Sequence, residues 1–182
     1  QRNGLTLIED SSQAMGAPLY GKMAVHSFYP AKILGCFGDG GAIVTNDDAL
    51  AERLKQMRNH YKGNWGAGYG FNSRLDNLQA ACLLINLKYL PQSLFRRKQI
   101  AQRYDRELVG FGKPEERLTY QDYVIIHPER DKVIAYLAEN GIQAMANDYP
   151  FPGELRKGEF ATDYEASSLR IPCTPEHTDD EI

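Results

Sequence analysis

Lys32 is the residue with the most chemistry to offer. It stands in the stretch Ser27-Phe28-Tyr29-Pro30-Ala31-Lys32-Ile33-Leu34-Gly35, followed by Gly38-Asp39-Gly40-Gly41. Residues 25–29 read as the end of a buried strand, and Pro30 stops it because proline has no N–H for the ladder. Lys32 then falls just past the strand's carboxyl end, where open α/β sheets place their ligands. The glycines permit tight turns and close backbone approach. An amine held there and stripped of water loses basicity and can condense with a carbonyl to a Schiff base. Taken alone, a loop lysine is more simply a solvated one. Asp10 ends the short apolar run Leu5-Thr6-Leu7-Ile8-Glu9. An acid at that place is either a turn cap or a functional group, and the sequence leaves both open. Gln13 reads equally as a surface amide, and Ser27 as a strand serine at the sheet's polar edge. Asn72 reads as a turn residue, since asparagine tolerates left-handed φ. His60 is more simply the closure of a helix C-terminus than a catalytic base.

Composition narrows the function classes. The 182 residues can bury a real core and form one or two domains. A net charge of −3 offers no basic excess to meet a phosphate backbone, which argues against a nucleic-acid protein. No apolar run is long enough to span a bilayer, and Gln1-Arg2-Asn3-Gly4 lacks the build of a signal peptide. Cys36, Cys82 and Cys173 are scattered, with neither metal-ligand nor disulfide-framework spacing. Reduced thiols in a cytoplasmic protein are the simplest account.

The elements that must position these residues follow from periodicity. Residues 42–45 read as the next strand. Asn46-Asp47-Asp48 caps a helix whose apolar stripe is Leu50, Leu54, Met57 and Tyr61. Residues 63–70 form a loop with four glycines and two aromatics, Trp65 and Tyr69, and no Gly-Lys-Ser/Thr follows to make it a phosphate loop. Asp76-Asn77-Leu78-Gln79 resembles a capping box, opening a helix with Leu78, Ala81, Cys82, Ile85 and Tyr89 as its buried stripe. Pro91 kinks or restarts that helix, which runs to about residue 108, and Arg96-Arg97-Lys98 reads as a solvated basic face. Residues 110–120 form a loop into a smaller domain. There, 123–127 and 142–145 read as strands. A helix over 130–140 turns Val133, Ile134 and Leu137 inward and stops at Gly141.

Five blocks resemble one family in order along the chain. They are Ile8-Glu9-Asp10-Ser11-Ser12-Gln13-Ala14-Met15-Gly16-Ala17, then Ser27 to Lys32, Gly38 to Asp47, Gly70-Phe71-Asn72-Ser73-Arg74-Leu75-Asp76-Asn77-Leu78-Gln79-Ala80-Ala81, and Ile171-Pro172-Cys173-Thr174-Pro175. Together they resemble the DegT/DnrJ/EryC1/StrS family of pyridoxal 5'-phosphate (PLP) aminotransferases, which act mostly on nucleotide-linked keto-sugars. The resemblance implies an α/β fold of the fold-type-I PLP-dependent transferase kind. Residues 1–90 would be the second half of the PLP-binding large domain, a mainly parallel sheet with helices. Residues 91–110 would be a connecting helix, and residues 111–182 a small C-terminal α+β domain.

The same resemblance implies roles. Lys32 would be the catalytic lysine that holds PLP. Asp10 would pair with the protonated pyridine nitrogen and keep the ring an electron sink. Gln13 would pack on the ring or reach its phenolic oxygen, and Ser27 would bond the phosphate. Asn72 would cross a homodimer interface to the phosphate in the partner subunit. No metal is implied. The expected reaction carries an amino group, with glutamate as donor, to a keto group of a nucleotide sugar. The rivals are a related dehydratase that uses pyridoxamine phosphate and has histidine in place of lysine, and an inactive or regulatory half-domain. The chain departs from the family in its short 22–27 segment. It departs again at Asn147-Asp148-Tyr149-Pro150-Phe151-Pro152, where Asp148 stands in place of the usual histidine before the tyrosine. It corresponds to roughly the C-terminal half of a family member, so these residues alone are expected to bind PLP weakly or not at all.

Overall fold

The computed structural model of the chain describes residues 4–111, 118–146 and 159–182. Two compact units divide the chain, Gln1–Gln92 and Ser93–Ile182. The tyrosine–proline segment 147–152 and part of the 110–120 loop lie outside the described residues.

The first unit contains β1 (Ile8–Asp10), β2 (Met23–Ser27) and β3 (Gly41–Val44), hydrogen-bonded in that order. β1 and β2 run parallel, with Asp10 opposite Val25. β2 and β3 run antiparallel, with Ser27 opposite Gly41. The described sheet is therefore mixed rather than mainly parallel. The physical reason is the Lys32 loop. A parallel return needs a crossover of about a dozen residues or more, usually a helix, whereas residues 28–40 are spent in turns that bring the chain straight back. Period-two alternation sorts β2 into faces. Ala24 and His26 are buried, while Val25 shares with Ile8 and Ile43 a face open to solvent.

α1 (Asp48–Met57) begins where the acids predict it. The Asp47 carboxylate accepts from the Leu50 amide at 2.9 Å, and Asp48 meets the positive end of the helix dipole. Tyr61 does not continue its stripe. It lies past the helix end in the left-handed region, buried at 6% exposure.

α2 (Asn77–Glu107) is a single helix that passes through Pro91 without restarting. Of its expected buried stripe only Cys82 is buried. Leu78, Ile85 and Tyr89 are exposed by 68%, 57% and 61%, and Ala81 is exposed too. The packed positions are Cys82, Leu83 and Leu90, with Leu83 and Leu90 in one cluster with Leu34 and Cys36 of the Lys32 loop. Both faces carry apolar residues at helical spacing, so periodicity alone picks out a stripe without saying which one meets this loop.

The second unit builds its core from α2's last turns and an antiparallel sheet. β4 (Tyr123–Ile126), β6 (Ser168–Ile171) and β5 (Met145–Ala146) are ordered β4-β6-β5. Ile100, Ala101 and Tyr104 pack with Tyr123, Ile125, Leu169, Ile171 and Cys173, and Val133, Ile134 and Leu137 of α3 (Arg130–Glu139) close over them. Gly141 stops α3 at φ +77°. α4 (Glu159–Ser167) leads into β6. In the basic cluster Lys98 is exposed as expected, but the two arginines are engaged. Arg97 is 6% exposed, and its Nη1 donates to the carbonyls of Tyr120, Gln121 and Cys173 at 3.2, 3.0 and 2.8 Å. Arg96 bonds the His177 carbonyl and pairs with Asp179, both at 2.7 Å. A buried guanidinium survives because those carbonyls replace its water. All three cysteines are free and buried.

Candidate active site

Asp10 closes β1 at its carboxyl end, and the neighbouring acid shows why it is free for chemistry. Glu9 is taken up structurally, its carboxylate accepting from the amides of Tyr20 and Gly21 and so closing the turn into β2. Asp10 instead stays exposed and accepts from the Ser12 hydroxyl and, at 3.0 Å, from the Ser12 amide. Those two bonds hold its carboxyl below the usual carboxylate range, the hydroxyl contributing most, and the Lys32 ammonium adds a smaller pull in the same direction. The buried Ser11 anchors this end, its amide bonded to the Val25 carbonyl at 2.9 Å.

Lys32 stands at the last position of a turn opened by Tyr29 and Pro30, with its amide bonded to the Tyr29 carbonyl at 2.9 Å. Proline at the second position fixes the φ such a turn needs. The loop around it is closed at its neck. The Phe28 amide donates to the Gly40 carbonyl at 2.8 Å, and the Phe28 carbonyl receives both the Cys36 amide at 2.9 Å and the Cys36 thiol at 3.0 Å. Gly35 lies so tightly on this turn that a Cβ would sit 2.5 Å from the Pro30 carbonyl oxygen. Two side chains of α2 reach the same loop. Asn86 Nδ2 donates to the Gly35 carbonyl at 2.9 Å, and Gln79 Oε1 accepts from the Phe37 amide at 2.9 Å. Sequence reading passes over Asn86 and reads Gln79 as part of a capping box, whereas its side-chain oxygen is taken by the Phe37 amide. Both contacts join segments far apart along the chain. Their only trace is two amide side chains two helical turns apart on one face.

Ser27 ends β2, on the same sheet face as Val25 and hence as Asp10. Its hydroxyl accepts from the Tyr29 amide at 3.3 Å. Gln13 is exposed on the loop after β1. Asp10, Ser27 and Lys32 thus gather at one end of the β1–β2 ladder, with Gln13 on the neighbouring loop.

Asn72 is placed elsewhere in the first unit, exposed on an extended segment that forms an isolated antiparallel bridge with Asn59. That corner is heavily braced. The Phe71 amide bonds the Met57 carbonyl at 2.7 Å, the Ser73 amide bonds the Arg58 carbonyl at 2.9 Å, and Arg74 Nη1 donates to Asn59 Oδ1 at 2.7 Å. His60 and Tyr61 sit at φ +58° and +52°, a left-handed conformation costing roughly 1–2 kcal/mol per residue outside glycine. Gly68 lies on the Tyr61 ring and Gly70 against the Met57 carbonyl, each too close for a Cβ. His60 therefore serves this corner with its backbone. Among the described residues, no hydrogen bond or ion pair joins Asn72 to Asp10, Ser27 or Lys32.

The chain is similar to known proteins over nearly its whole length. The chain is 38% identical to a pleiotropic regulatory protein of Geobacillus stearothermophilus, over 93% of this chain and 50% of that one. It is also 38% identical to a UDP-2-acetamido-2-deoxy-3-oxo-D-glucuronate aminotransferase of Pseudomonas aeruginosa, over 90% and 49%. A DegT DnrJ EryC1 StrS aminotransferase from Brucella abortus superposes with a TM-score of 0.87 at 33% identity, over 99% of this chain and 55% of that one. The chain thus spans about half the length of the relatives it matches. Since the profile of the DegT/DnrJ/EryC1/StrS aminotransferase family matches residues 1–182 from end to end, the chain belongs to that family.

Proposed function

We propose that the protein carrying this chain is a PLP-dependent aminotransferase that moves an amino group from an amino acid, glutamate, to a keto group of a nucleotide-linked sugar. The family is PLP-dependent. The observation that carries the reading is a primary amine on a closed turn beside a carboxylate held anionic at the same strand end. A primary amine, an anionic carboxylate and a hydroxyl are the donor set that an aldehyde, a protonated pyridine nitrogen and a phosphate call for, so these residues fit the cofactor.

When bound, PLP supplies the reactive carbonyl carbon and the electron sink. Lys32 Nζ would hold it and, once released, take and return the proton at the substrate carbon as general acid and base. The Asp10 carboxylate, anionic through Ser12, would hold the proton on the ring nitrogen. Ser27 would bind the phosphate and Gln13 would lie against the ring. Asn72 would serve the phosphate site of a partner subunit in a homodimer, which accounts for its separation from the other four residues. The setting is cytoplasmic, in keeping with three free thiols; no described helix is long and apolar enough to cross a membrane.

Lys32 favours an aminotransferase over the related dehydratase, which carries histidine there. A regulatory module is the second reading, favoured by the name of the Geobacillus relative, a pleiotropic regulatory protein. One experiment separates them. PLP is added to the purified protein, borohydride follows, and the pyridoxyl adduct is located by peptide mass. A single adduct on Lys32, absent from Lys32→Ala, is expected. Adducts scattered over surface lysines would overturn the assignment.

A further inference from the structure

We propose that Asn86 and Gln79 are positioning residues for Lys32, acting as a two-point clamp from α2 on the loop that carries it; the inference rests on the reading of Lys32 as the PLP lysine. The two side chains reach the loop with opposite polarity. Asn86 gives an N–H to the Gly35 carbonyl, and Gln79 gives an oxygen to the Phe37 amide, both at 2.9 Å. These two backbone groups flank Cys36, the residue whose amide and thiol close the loop's neck on Phe28. A hold at this point is therefore a hold on the whole turn from Tyr29 to Gly35. Neither group has another means of support within the strands, because β2 ends at Ser27 and β3 begins at Gly41.

The rest of the loop transmits that hold. Gly35 rests directly on the Pro30 carbonyl, which leaves no slack between the clamped carbonyl and the turn that ends at Lys32. Gly38 lies against the Gln79 side chain, where a Cβ would be 3.2 Å from its nitrogen. Leu34 and Cys36 pack on Leu83, which stands between the two clamp residues on α2. The helix thus presents an amide, an apolar contact and a second amide in succession to one short loop. Lys32 has several rotatable bonds of its own, so a mobile loop beneath it would spread its amine over many positions. Fixing the backbone removes that part of the spread and presents Nζ to one carbonyl position beside Asp10.

The opposite polarities make the test selective. Asn86→Asp keeps the size and removes the donor. Gln79→Leu removes the acceptor. Gln79→Glu keeps the acceptor and adds the same negative charge as Asn86→Asp, so it is the conservative rescue and the electrostatic control together. Each variant is treated with PLP and borohydride, and the yield of pyridoxyl adduct on Lys32 is divided by that on Lys55, a solvent-exposed lysine of α1 paired with Glu52. Thermal melting is recorded alongside. The ratio is expected to fall about fivefold to tenfold in Asn86→Asp and in Gln79→Leu, the scale of one lost hydrogen bond. In Gln79→Glu it is expected to stay within about twofold of the parent. A general loosening of the fold would lower the melting point without singling out the adduct at Lys32. A parental ratio in Asn86→Asp, or an equal loss in Gln79→Glu, overturns the clamp. No preference for Lys32 over Lys55 in the parent overturns the reading of Lys32, and the clamp with it.

Discussion

At the scale of single residues, the site depends on keeping one carboxyl charged. Asp10 is exposed, so burial does little to it, and the two bonds from Ser12 set its acidity. Its folded pKa lies below that of an unfolded aspartate, about 3.9. The sign follows. Asp10 contributes stability above that value, and the contribution is lost as pH falls through the folded pKa. Ser12→Ala should therefore raise the Asp10 midpoint towards 3.9, read by carbon NMR titration of the carboxyl group; an unmoved midpoint would show that Ser12 does not set it. Near neutrality Asp10 stays ionised in either protein, so a pH optimum there must come from another group. That Asp10 and Ser27 end strands and that Lys32 follows one was legible in the sequence, whereas their roles rest on the family resemblance. The contacts of Asn86 and Gln79 were not legible, because a hydrogen bond between distant segments leaves no spacing to read; Ser12, two residues past Asp10, was simply passed over.

At the scale of elements, the Lys32 loop is shaped by contacts that tolerate no added atoms. Gly35 makes this testable, since its close approach to the Pro30 carbonyl would force a shift of backbone rather than of a yielding side chain. Gly35→Ala should destabilise the protein by about 1–3 kcal/mol, measured by urea unfolding. It should also lower the adduct yield at Lys32 more than at Lys55. Retained stability would mean that the turn can open without cost. The strand and helix positions were largely legible, as with the Asp47 cap of α1 and Gly141 at the end of α3. Which face of α2 packs on this loop was not. Leu78, Ile85 and Tyr89 give a regular stripe, yet Leu83 and Leu90 make the contact. Pro91 shows the same limit. It costs the helix one hydrogen bond, and the turns around it carry α2 onward regardless.

At the scale of the whole molecule, that misread stripe acquires a meaning under the proposed homodimer. Leu78, Ile85 and Tyr89 have the regular spacing of a buried helix face and are open to solvent in the single chain. Trp65, Tyr69 and Phe71, on the segment leading to Asn72, are exposed by 75%, 97% and 70%. Exposed apolar area of this kind is common where a second copy, or the rest of a longer protein, docks. A second copy that covered it would bring Asn72 to the neighbouring phosphate site, so self-association and cofactor affinity should fail together. Tyr89→Glu puts a charge on the exposed stripe. Sedimentation should show it as a monomer at concentrations where the parent is a dimer, and PLP affinity should drop, while pyridoxal, which lacks the phosphate, should bind as it does in the parent. Asn72→Ala should reproduce the loss of PLP preference without dissociating the dimer. A Tyr89→Glu monomer that still prefers PLP over pyridoxal would show that each chain completes its own phosphate site.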